Sequence, residues 1–465
     1  MALFGTSGAR GVTNLEIKPE LALTIATIYG TMMGEGASKA KRMVVGHDQR
    51  HGAAMLARVV AAGLASTGVG VDFLGCVSTG VFSSYLHAVS SAGGVLVTGS
   101  HMPPDRIGII PMHRNAHYCD RDITDIIEKG IAAWPQGIRR APSTCIGEIE
   151  EIRQEDSGAL YQSRMLEGIR FPKSPLRFND ILVDAGNGTG GIPARTLMSA
   201  LGFNVVMMNG NPKAIPDRPS ECRPDTCALA IERVRKEGYA LGVCYDGDAD
   251  RALFITSGGV ALADSVVGAI FARYCVPKGR PIVTPVNASG LIEVIADRIG
   301  SRVVYCRIGQ PATDTAVFAH DAVFAYEEAA GKYGFAENGC CYDGVYATAM
   351  MLRIMQQQNK SLGGLAVEMP DFFQTNRKVA VPDDKKAQVV QNALALVTGR
   401  LRDVRNIVTL DGTKFILADG AWLLVRPSGT EPVVRCYSDA QSKQRADELA
   451  NLGQQCFAEV IASMR

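Results

Sequence analysis

Short apolar runs that end in polar or glycine-rich turns recur along the chain, and segments with helical periodicity follow them. VVGHD at 44–48 is one such run, and HGAAMLARVVAAGLASTG at 51–68 follows it with apolar residues at helical spacing and a terminal glycine. Further strands are predicted at VDFLG, 71–75, and at GVLVTGS, 94–100. Such alternation is typical of βα units, so we predict an α/β fold with mixed, mostly parallel sheets.

Three segments, about 90–100 residues apart, share one design: an apolar strand followed by a turn of small residues. They are VLVTGSHMPP at 95–104, ILVDAGNGTGG at 181–191 and PIVTPVNASG at 281–290. The spacing predicts three similar α/β domains. Ligands bind at the carboxyl ends of strands in such sheets, so the three turns are expected to lie at the site.

The last hundred residues follow a different pattern, in which strands lie between a helix on each side. We therefore predict a smaller α+β domain at the C-terminus. The predicted boundaries place α/β domains at 1–150, 151–256 and 257–370 and the α+β domain at 371–465.

Composition narrows the class of protein. Of 465 residues, 48 are Lys or Arg and 47 are Asp or Glu, giving a net charge of +1, and 47% are hydrophobic. This balance predicts a globular protein with a sizeable core and argues against disorder and against nucleic acid as a partner.

Neither membrane nor disulfide chemistry is predicted. The opening MALFGTSGARG lacks the apolar region of a signal peptide, and the uncharged stretch 73–104 is broken by glycine and serine, so we interpret it as buried core. The 12 cysteines include no CxxC pair and are expected to be reduced thiols. We expect a cytoplasmic protein without a membrane partner.

The strongest chemical signal is YDGDADRAL at 245–253, where three aspartates alternate directly after an apolar strand. Alternate residues of an extended chain face one side, and converging carboxylates repel unless a cation lies between them. Mg²⁺ prefers oxygen ligands of this kind. A solvated turn is the simpler alternative, and an EF-hand is excluded because Ser257 stands where its twelfth-position Glu belongs. The predicted metal ligands are Asp246, Asp248 and Asp250.

A second signal is VRPSGTEPVVRCY at 425–437. A guanidinium, two hydroxyls and a glycine that allows close backbone approach are suited to binding phosphate, although a plain hairpin turn has similar composition. The predicted phosphate-binding residues are Arg426, Ser428, Gly429 and Thr430.

Two further strings are weaker taken alone. TGSHMPP at 98–104 exposes Ser100 on a glycine turn after a strand, with His101 beside it, which suits a nucleophile or phosphate carrier as well as an ordinary Ser/Gly turn. FGTSGARG at 4–11 could bind an anion through its glycines and Arg10.

Taken in chain order, these four strings closely resemble the α-D-phosphohexomutase superfamily, which includes phosphoglucomutases, phosphomannomutases and phosphoglucosamine mutases. FGTSGARG is similar to its N-terminal motif, TGSHMPP to its phosphoserine loop, DGDADR to its metal loop and RPSGTEP to its phosphate-binding loop. The resemblance covers essentially the whole chain. It implies three related α/β domains and a smaller fourth domain around a central cleft.

The resemblance also implies a mechanism. Ser100 would be carried phosphorylated and would exchange its phosphoryl group with a sugar 1- or 6-phosphate through a sugar bisphosphate, which also serves as activator. Mg²⁺ would be held by Ser100 and the three aspartates, and Arg10 and Arg251 would hold phosphoryl oxygens beside His101. Phosphoryl transfer depends mainly on positioning and charge stabilisation, which these groups provide.

The chain departs from the family pattern in its serine loop and sugar loop. Met102 replaces an asparagine, and Ile110 stands at the position of a lysine that is a candidate proton-transfer group. The sugar loop, GEESGH in the family, is AYEEAAGK here: Glu327 and Glu328 are kept, whereas Ala329 replaces the serine and Gly331 the histidine.

Nearby positions differ as well. Gln310 and Pro311 stand where a basic residue often follows the glycine, and Lys332 lies one residue beyond the missing histidine. Lys332 could contact substrate in place of the lost base, although a solvated loop lysine is the simpler interpretation.

These departures leave the substrate open. A phosphopentomutase acting between 1- and 5-phosphates, or a non-catalytic phosphosugar-binding paralogue, remains an alternative to a hexose phosphate mutase, and the chain could be a monomer or a homo-oligomer. His113, His117 and Cys119 hint at zinc but lack a fourth ligand, so a surface loop is expected there.

Overall fold

The computed structural model describes residues 3–5, 8–34, 42–89, 91–172, 177–328, 331–382, 384–427 and 432–464. Within them the chain forms four sheets, each with its own helices. The predicted α/β class, with related domains and a smaller final one, is confirmed.

The first sheet carries the serine loop, and its strand order is β1-β2-β6-β5-β3-β4-β7. Strands β3, β4, β5 and β7 are parallel neighbours, whereas β6 runs antiparallel to β5 and β2. The elements are β1 (Phe4–Gly5), β2 (Gly8–Val12), α1 (Pro19–Gly34), β3 (Arg42–His47), α2 (Ala53–Ala65), β4 (Gly70–Cys76), α3 (Thr79–Ala88), β5 (Gly93–Thr98), β6 (Arg106–His113), α4 (Arg121–Ala133) and β7 (Ile149–Glu151).

The second sheet carries the aspartate loop, in the order β11-β10-β8-β9. Its inner strands are parallel and β11 is antiparallel to β10. The elements are α5 (Gln154–Ile169), β8 (Asp180–Asp184), α6 (Gly191–Ala200), β9 (Asn204–Met208), α7 (Ala228–Glu237), β10 (Leu241–Tyr245) and β11 (Ala252–Thr256).

The third sheet repeats this plan, in the order β13-β12-β14-β15, with β15 antiparallel at one edge. The elements are α8 (Asp264–Cys275), β12 (Pro281–Pro285), α9 (Leu291–Ile299), β13 (Arg302–Cys306), α10 (Gln310–His320), β14 (Phe324–Glu327), β15 (Lys332–Phe335), α11 (Gly344–Gln358) and α12 (Leu362–Ala366).

The fourth sheet is antiparallel, in the order β16-β20-β19-β18-β17. Two helices pack on it through a core of its own. The elements are β16 (Phe373–Ala380), α13 (Lys386–Arg400), β17 (Val404–Val408), β18 (Thr413–Leu417), β19 (Trp422–Pro427), β20 (Val433–Ala440) and α14 (Lys443–Ser463).

One large hydrophobic core joins the first three sheets. It runs from Phe82 and Leu96 through Tyr245 and Phe254 to Phe324. The site loops therefore rest on one continuous packed body. Their relative positions are fixed by burial, which stabilises by about 25 cal/mol per Å² of apolar surface.

The uncharged stretch at 73–104 lies in this core as β4, α3 and β5, as predicted. No helix within the described ranges is long and apolar enough to cross a membrane. All 12 cysteines are free, and most are buried, as expected.

Candidate active site

The aspartate loop forms the tight connection between antiparallel strands β10 and β11. Its carboxylate oxygens lie within 4.8 Å of one another, and each residue is at most 1% exposed. The predicted convergence is present, but the reason given for it is wrong: the loop is a turn, with Ala249 at φ 58°, rather than an extended strand. The turn brings together Asp246, Asp248 and Asp250.

The serine loop leaves β5 at Thr98 and meets the aspartate turn. Ser100 is 2% exposed, and its hydroxyl donates to Asp246 Oδ2 at 2.6 Å. Its φ of 47° is a left-handed conformation that non-glycine residues adopt infrequently. Nδ1 of His101 lies 3.3 Å from the same hydroxyl oxygen. The predicted nucleophile, Ser100, is thus in direct contact with one of the predicted metal ligands, Asp246.

Backbone contacts hold the two loops together. A Cβ at Gly247 would lie 2.7 Å from the carbonyl oxygen of Ser100, so a side chain there would separate the loops. The Asp248 carbonyl accepts the N–H of Thr79, and the Gly247 carbonyl accepts that of Thr189, both at 2.9 Å. The Thr79 contact joins the aspartate turn to the start of α3 in the first domain, and the Thr189 contact joins it to the turn after β8 in its own domain.

An aspartate–arginine pair beneath the serine loop was missed by sequence reasoning. The Arg50 guanidinium donates to the carbonyl oxygens of Ser100, at 2.5 Å, Met102, at 2.7 Å, and Pro103. Asp48 lies 3.2 Å from Arg50 and accepts the N–H of Gly99 at 2.8 Å. Both are nearly fully buried. Their signal was available in GHDQR at the end of β3, a strand that neighbours β5.

Thr98 joins this pair to the aspartate turn. Its hydroxyl lies 3.0 Å from Asp48 Oδ2 and 2.9 Å from Asp248 Oδ2, and it accepts the N–H of Ser100. One hydroxyl hydrogen can serve either carboxylate. The hydroxyl therefore links the position of Ser100 to that of the aspartate turn.

Burial and neighbouring charged groups shift the pKa values of the three aspartates. Burial, with the neighbouring carboxylates, raises the pKa of Asp246 and raises that of Asp248 to about 6. Burial also acts on Asp250, but Lys332 and Arg251 outweigh it, so its pKa is lowered. Neighbouring positive charge therefore stabilises the ionised form of Asp250.

The triad fits a hard divalent cation. Oδ1 of Asp248 and Oδ1 of Asp250 are buried and have no hydrogen-bond partner within the described residues. Buried charged oxygens without partners are costly, and three carboxylates with free lone pairs are the donor set that Mg²⁺ prefers.

Three cations surround this centre. Nε of Arg251 lies 3.8 Å from both Asp246 and Asp250. Arg10 lies on β2, opposite Gly108. Burial together with Arg251, Arg10 and Lys332 lowers the pKa of His101 to about 3, so its imidazole is neutral at pH 7. The arrangement suits an anion placed at Ser100.

Lys332 is not the solvated loop lysine favoured from sequence. It opens β15 with its side chain 7% exposed, and its Nζ lies 2.8 Å from Asp250 Oδ2. Nζ also donates to Gln310 Oε1 at 2.8 Å. Ile110, where the family pattern has lysine, is packed in the core. Lys332 therefore brings an ammonium group to the triad.

The predicted sugar-contacting glutamates are held by protein groups. Glu327 accepts from the hydroxyls of Thr313 and Tyr342, each at 3.3 Å. Glu328 accepts from the Ser289 N–H at 2.7 Å, Tyr326 at 3.0 Å and Gln374 at 3.0 Å, and burial raises its pKa to about 8. Both residues are half-buried.

Part of the predicted phosphate-binding loop can be placed. Arg426 is the penultimate residue of β19, and its guanidinium pairs with Asp411 at 2.8 Å. Several other residues of interest lie outside the described residues, namely Ser428, Gly429, Thr430, Ala329, Thr6 and Ser7.

The surface loop expected around His113 is wrong in part, because His117 and Cys119 are buried. His117 Nε2 lies 2.9 Å from the Gly339 carbonyl and its ring packs on Phe318. Within the described chain, the aspartate triad is the one cluster with metal-ligand spacing.

Comparisons with known proteins match one family over nearly the whole length of the chain. Models of phosphoglucomutase/phosphomannomutase α/β/α domains I, II and III match residues 1–137, 159–259 and 264–372, and that of the C-terminal domain matches 377–452. A phosphoglucomutase/phosphomannomutase of Thermococcus kodakarensis is 32% identical over 463 residues, covering 99% of both chains. A probable phosphoglucosamine mutase of Pyrococcus abyssi is 29% identical and covers 98% of both.

Solved structures share the fold. A phosphoglucomutase/phosphomannomutase family protein of Burkholderia thailandensis has a TM-score of 0.85 at 22% identity, covering 99% of this chain and 97% of that one. Fold, loops and relatives together define an intramolecular phosphotransferase. The chain belongs to the phosphoglucomutase/phosphomannomutase family and is a phosphosugar mutase of the phosphohexomutase type.

Proposed function

We propose that this mutase interconverts hexose 1- and 6-phosphates through a phosphoryl group carried on Ser100. The supporting observation is the 2.6 Å hydrogen bond from Ser100 to Asp246, which joins the serine to the triad. A nucleophile in direct contact with a cation-binding cluster suits phosphoryl transfer better than hydrolysis by water, which needs no carrier serine.

The triad would hold Mg²⁺ through Asp246, Asp248 and Asp250, with Ser100 beside it. A divalent ion bound there supplies charge that stabilises the transferring phosphoryl group. Arg251 and Arg10 add fixed positive charge around the same group, and neutral His101 lies beside the serine oxygen.

In the forward step, a sugar hydroxyl oxygen would bond to phosphorus while the bond between the serine oxygen and phosphorus breaks, and the hydroxyl proton would end on the released serine oxygen, giving a sugar bisphosphate and free Ser100. That intermediate reorients, and its other phosphate returns to Ser100. Arg426 and its loop would hold whichever phosphate is not reacting. Arg50, which donates to the backbone carbonyls of Ser100 and Met102, would hold the serine loop in one position during both steps.

The partner is thus a small phosphosugar, and we place the protein in the cytoplasm, where such metabolites are handled. Relatives named for glucose, mannose and glucosamine phosphates define the panel of substrates to assay, with ribose 1-phosphate as the pentose comparison.

Carriage on Ser100 is tested by intact mass after incubation with glucose 1,6-bisphosphate. The wild type should gain one phosphoryl group and lose it on addition of a hexose monophosphate, and Ser100→Ala should gain none. A phosphoryl group found on another residue of the wild type would refute the proposal.

The metal site is tested separately with Asp248→Asn. Loss of one formal charge should weaken Mg²⁺ binding at least about tenfold, while the amide oxygen can still accept from Thr98. Asp321→Asn, at a 90% exposed side chain, is the matched control and should leave the affinity unchanged. Equal affinities in all three proteins, by titration calorimetry, would exclude this site.

A further inference from the structure

The ammonium group of Lys332 forms an ion pair with one of the three carboxylates of the aspartate triad. Lys332 Nζ lies 2.8 Å from Asp250 Oδ2 and 2.8 Å from Gln310 Oε1, and 5.3 Å from the ring centre of Tyr342. The lysine is 5% exposed, and Gln310 and Tyr342 are equally buried. A buried charge is stable only when it is paired, so Asp250 is the partner that allows this lysine to be buried.

None of the three residues before Lys332 in the sequence has an ionisable side chain that could take this role. Gly331 has φ +63°, and a Cβ there would lie 2.6 Å from the Ala252 carbonyl oxygen, so the backbone packs directly on the start of β11. The two residues before it in the sequence, 329 and 330, are alanines. Of residues 329–332 in the sequence, Lys332 is therefore the one with an ionisable side chain.

The ammonium group of Lys332 and a divalent ion bound by the triad would compete for the negative charge of Asp250. Asp250 Oδ1 has no hydrogen-bond partner in the described chain, whereas Oδ2 holds the lysine. An ion bound to Oδ2 must displace the ammonium. An ion bound to Oδ1 would lie a few ångströms from it, where like charges repel strongly in a dry interior.

We infer that Lys332 is a tethered counter-cation of the metal centre: it neutralises Asp250 in the metal-free protein and leaves that carboxylate when a divalent ion binds. This inference rests on the proposed metal site. The three carboxylates lie within 4.8 Å of one another, and Lys332 relieves their repulsion before the ion arrives. Once displaced, the ammonium is free to donate to the phosphoryl group at Ser100.

The consequence is that Lys332 raises the stability of the metal-free protein and lowers its affinity for the divalent ion. With the lysine present, the metal-free site is stabilised and the ion binds more weakly. Without it, less of the buried negative charge of the metal-free site is compensated, and the ion binds more tightly because it meets no competing ammonium.

The test compares Lys332→Met, Lys332→Gln and Lys332→Arg with the wild type, using chelator-treated protein. Mg²⁺ and Mn²⁺ affinities are measured by titration calorimetry, and Tm is measured with and without each ion. Both neutral variants should bind the ions at least about tenfold more tightly, have a lower metal-free Tm and show a larger rise of Tm on adding the ion. Lys332→Arg, which keeps the charge, should stay close to the wild type.

Lys213→Met is the matched control, because Lys213 forms an exposed ion pair with Asp217 and none of the described ion pairs joins it to the triad. It should change neither affinity nor the ion-induced rise of Tm. A neutral variant that folds only with the ion present supports the inference. If wild type binds no ion, the metal site itself is refuted. If wild type binds and both neutral variants bind equally or more weakly, the metal site stands and the role of Lys332 is overturned.

Discussion

The backbone conformation of Ser100 depends on a few buried residues that contact the serine loop. Its left-handed backbone is kept by carbonyl contacts from one buried guanidinium and by the N–H contact between Gly99 and Asp48. Arg50 directs its guanidinium at backbone carbonyls of the serine loop. It acts as a positioning residue for the serine.

Replacing Arg50 by lysine should therefore lower turnover. One ammonium cannot reproduce the planar fork that reaches the carbonyls of Ser100, Met102 and Pro103. Misplacement of a nucleophile by about 1 Å can cost about a hundredfold in rate. We expect kcat to fall by about that factor while KM and Mg²⁺ affinity change little, because neither phosphate binding nor the triad is altered. A variant with kcat within twofold of the wild type would contradict the assigned role.

Residue patterns located the triad and the serine because each motif is contiguous in sequence. GHDQR marks Asp48 and Arg50 as polar residues at a strand end, but their contacts with the serine loop could not be derived this way, since they span about 50 residues and depend on the pairing of β3 with β5. Gln310 and Lys332 were noted separately as departures from the family pattern. The fold brings these two side chains into contact.

Among the elements, the antiparallel pair β14–β15 lies against the start of β11 at one glycine. Gly331 combines a positive φ with backbone packing on Ala252. The histidine missing at this position therefore has a steric explanation here: any side chain would be strained and would push the hairpin off β11.

Gly331→Ala should lower the free energy of unfolding by about 1–3 kcal/mol, as expected for a left-handed non-glycine residue that also meets a carbonyl oxygen. Gly399→Ala is the control. That glycine is exposed in α13 with nothing near its would-be Cβ, so alanine there should be neutral or stabilise by up to about 1 kcal/mol. Urea denaturation of both variants checks this, and equal effects would contradict the steric account.

A buried lysine lies where the fourth sheet meets the third. Lys414 of β18 is 0% exposed, lies 4.2 Å from the ring centre of Tyr305 and 4.3 Å from that of Trp422, and donates to Ala288. Burial lowers its pKa to about 7, against the opposing influence of the carboxylates Glu293, Asp439 and Glu328.

Because the folded pKa lies below the unfolded value, the unfolded chain binds more protons between about pH 7 and pH 10.5. In this window the contribution of Lys414 to stability rises with pH, by up to about 1.4 kcal/mol per pH unit. Lys414→Met should remove this rise. The free energy of unfolding, measured at pH 7 and at pH 9.5, should increase less in the variant than in the wild type. Parallel changes would contradict the lowered pKa.

Strands and helices were predictable as elements because buried βα units have strong periodicity. The turn that gathers the aspartates was not, since alternation in sequence fits an extended strand equally well. Its geometry is set by antiparallel pairing of β10 with β11 and by contacts from Thr79 and Thr189, which come from elsewhere in the chain.

At the scale of the whole molecule, a chain of polar contacts runs from the fourth sheet towards the triad. Arg426 pairs with Asp411, whose other oxygen accepts the Ile308 N–H at 3.2 Å. Two residues further along, Gln310 accepts from Lys332, which pairs with Asp250. The predicted phosphate-binding arginine and the predicted metal ligand are thus connected through the third sheet. Single-sequence periodicity predicts the number of domains but not such contacts between them.

Arg426→Ala tests whether this arrangement serves both orientations of the substrate. If Arg426 holds the phosphate that is not reacting, its loss should weaken use of the 1-phosphate and the 6-phosphate alike, by about tenfold to a hundredfold in kcat/KM, as expected for one charge-assisted hydrogen bond or two weaker ones. Arg445→Ala, an exposed arginine of the same domain paired with Asp419, is the control and should change kcat/KM less than twofold. Assays of both isomers in both directions decide the question. A loss confined to one isomer would mean that Arg426 reads one end of the sugar, and the two phosphates would then be held by different groups.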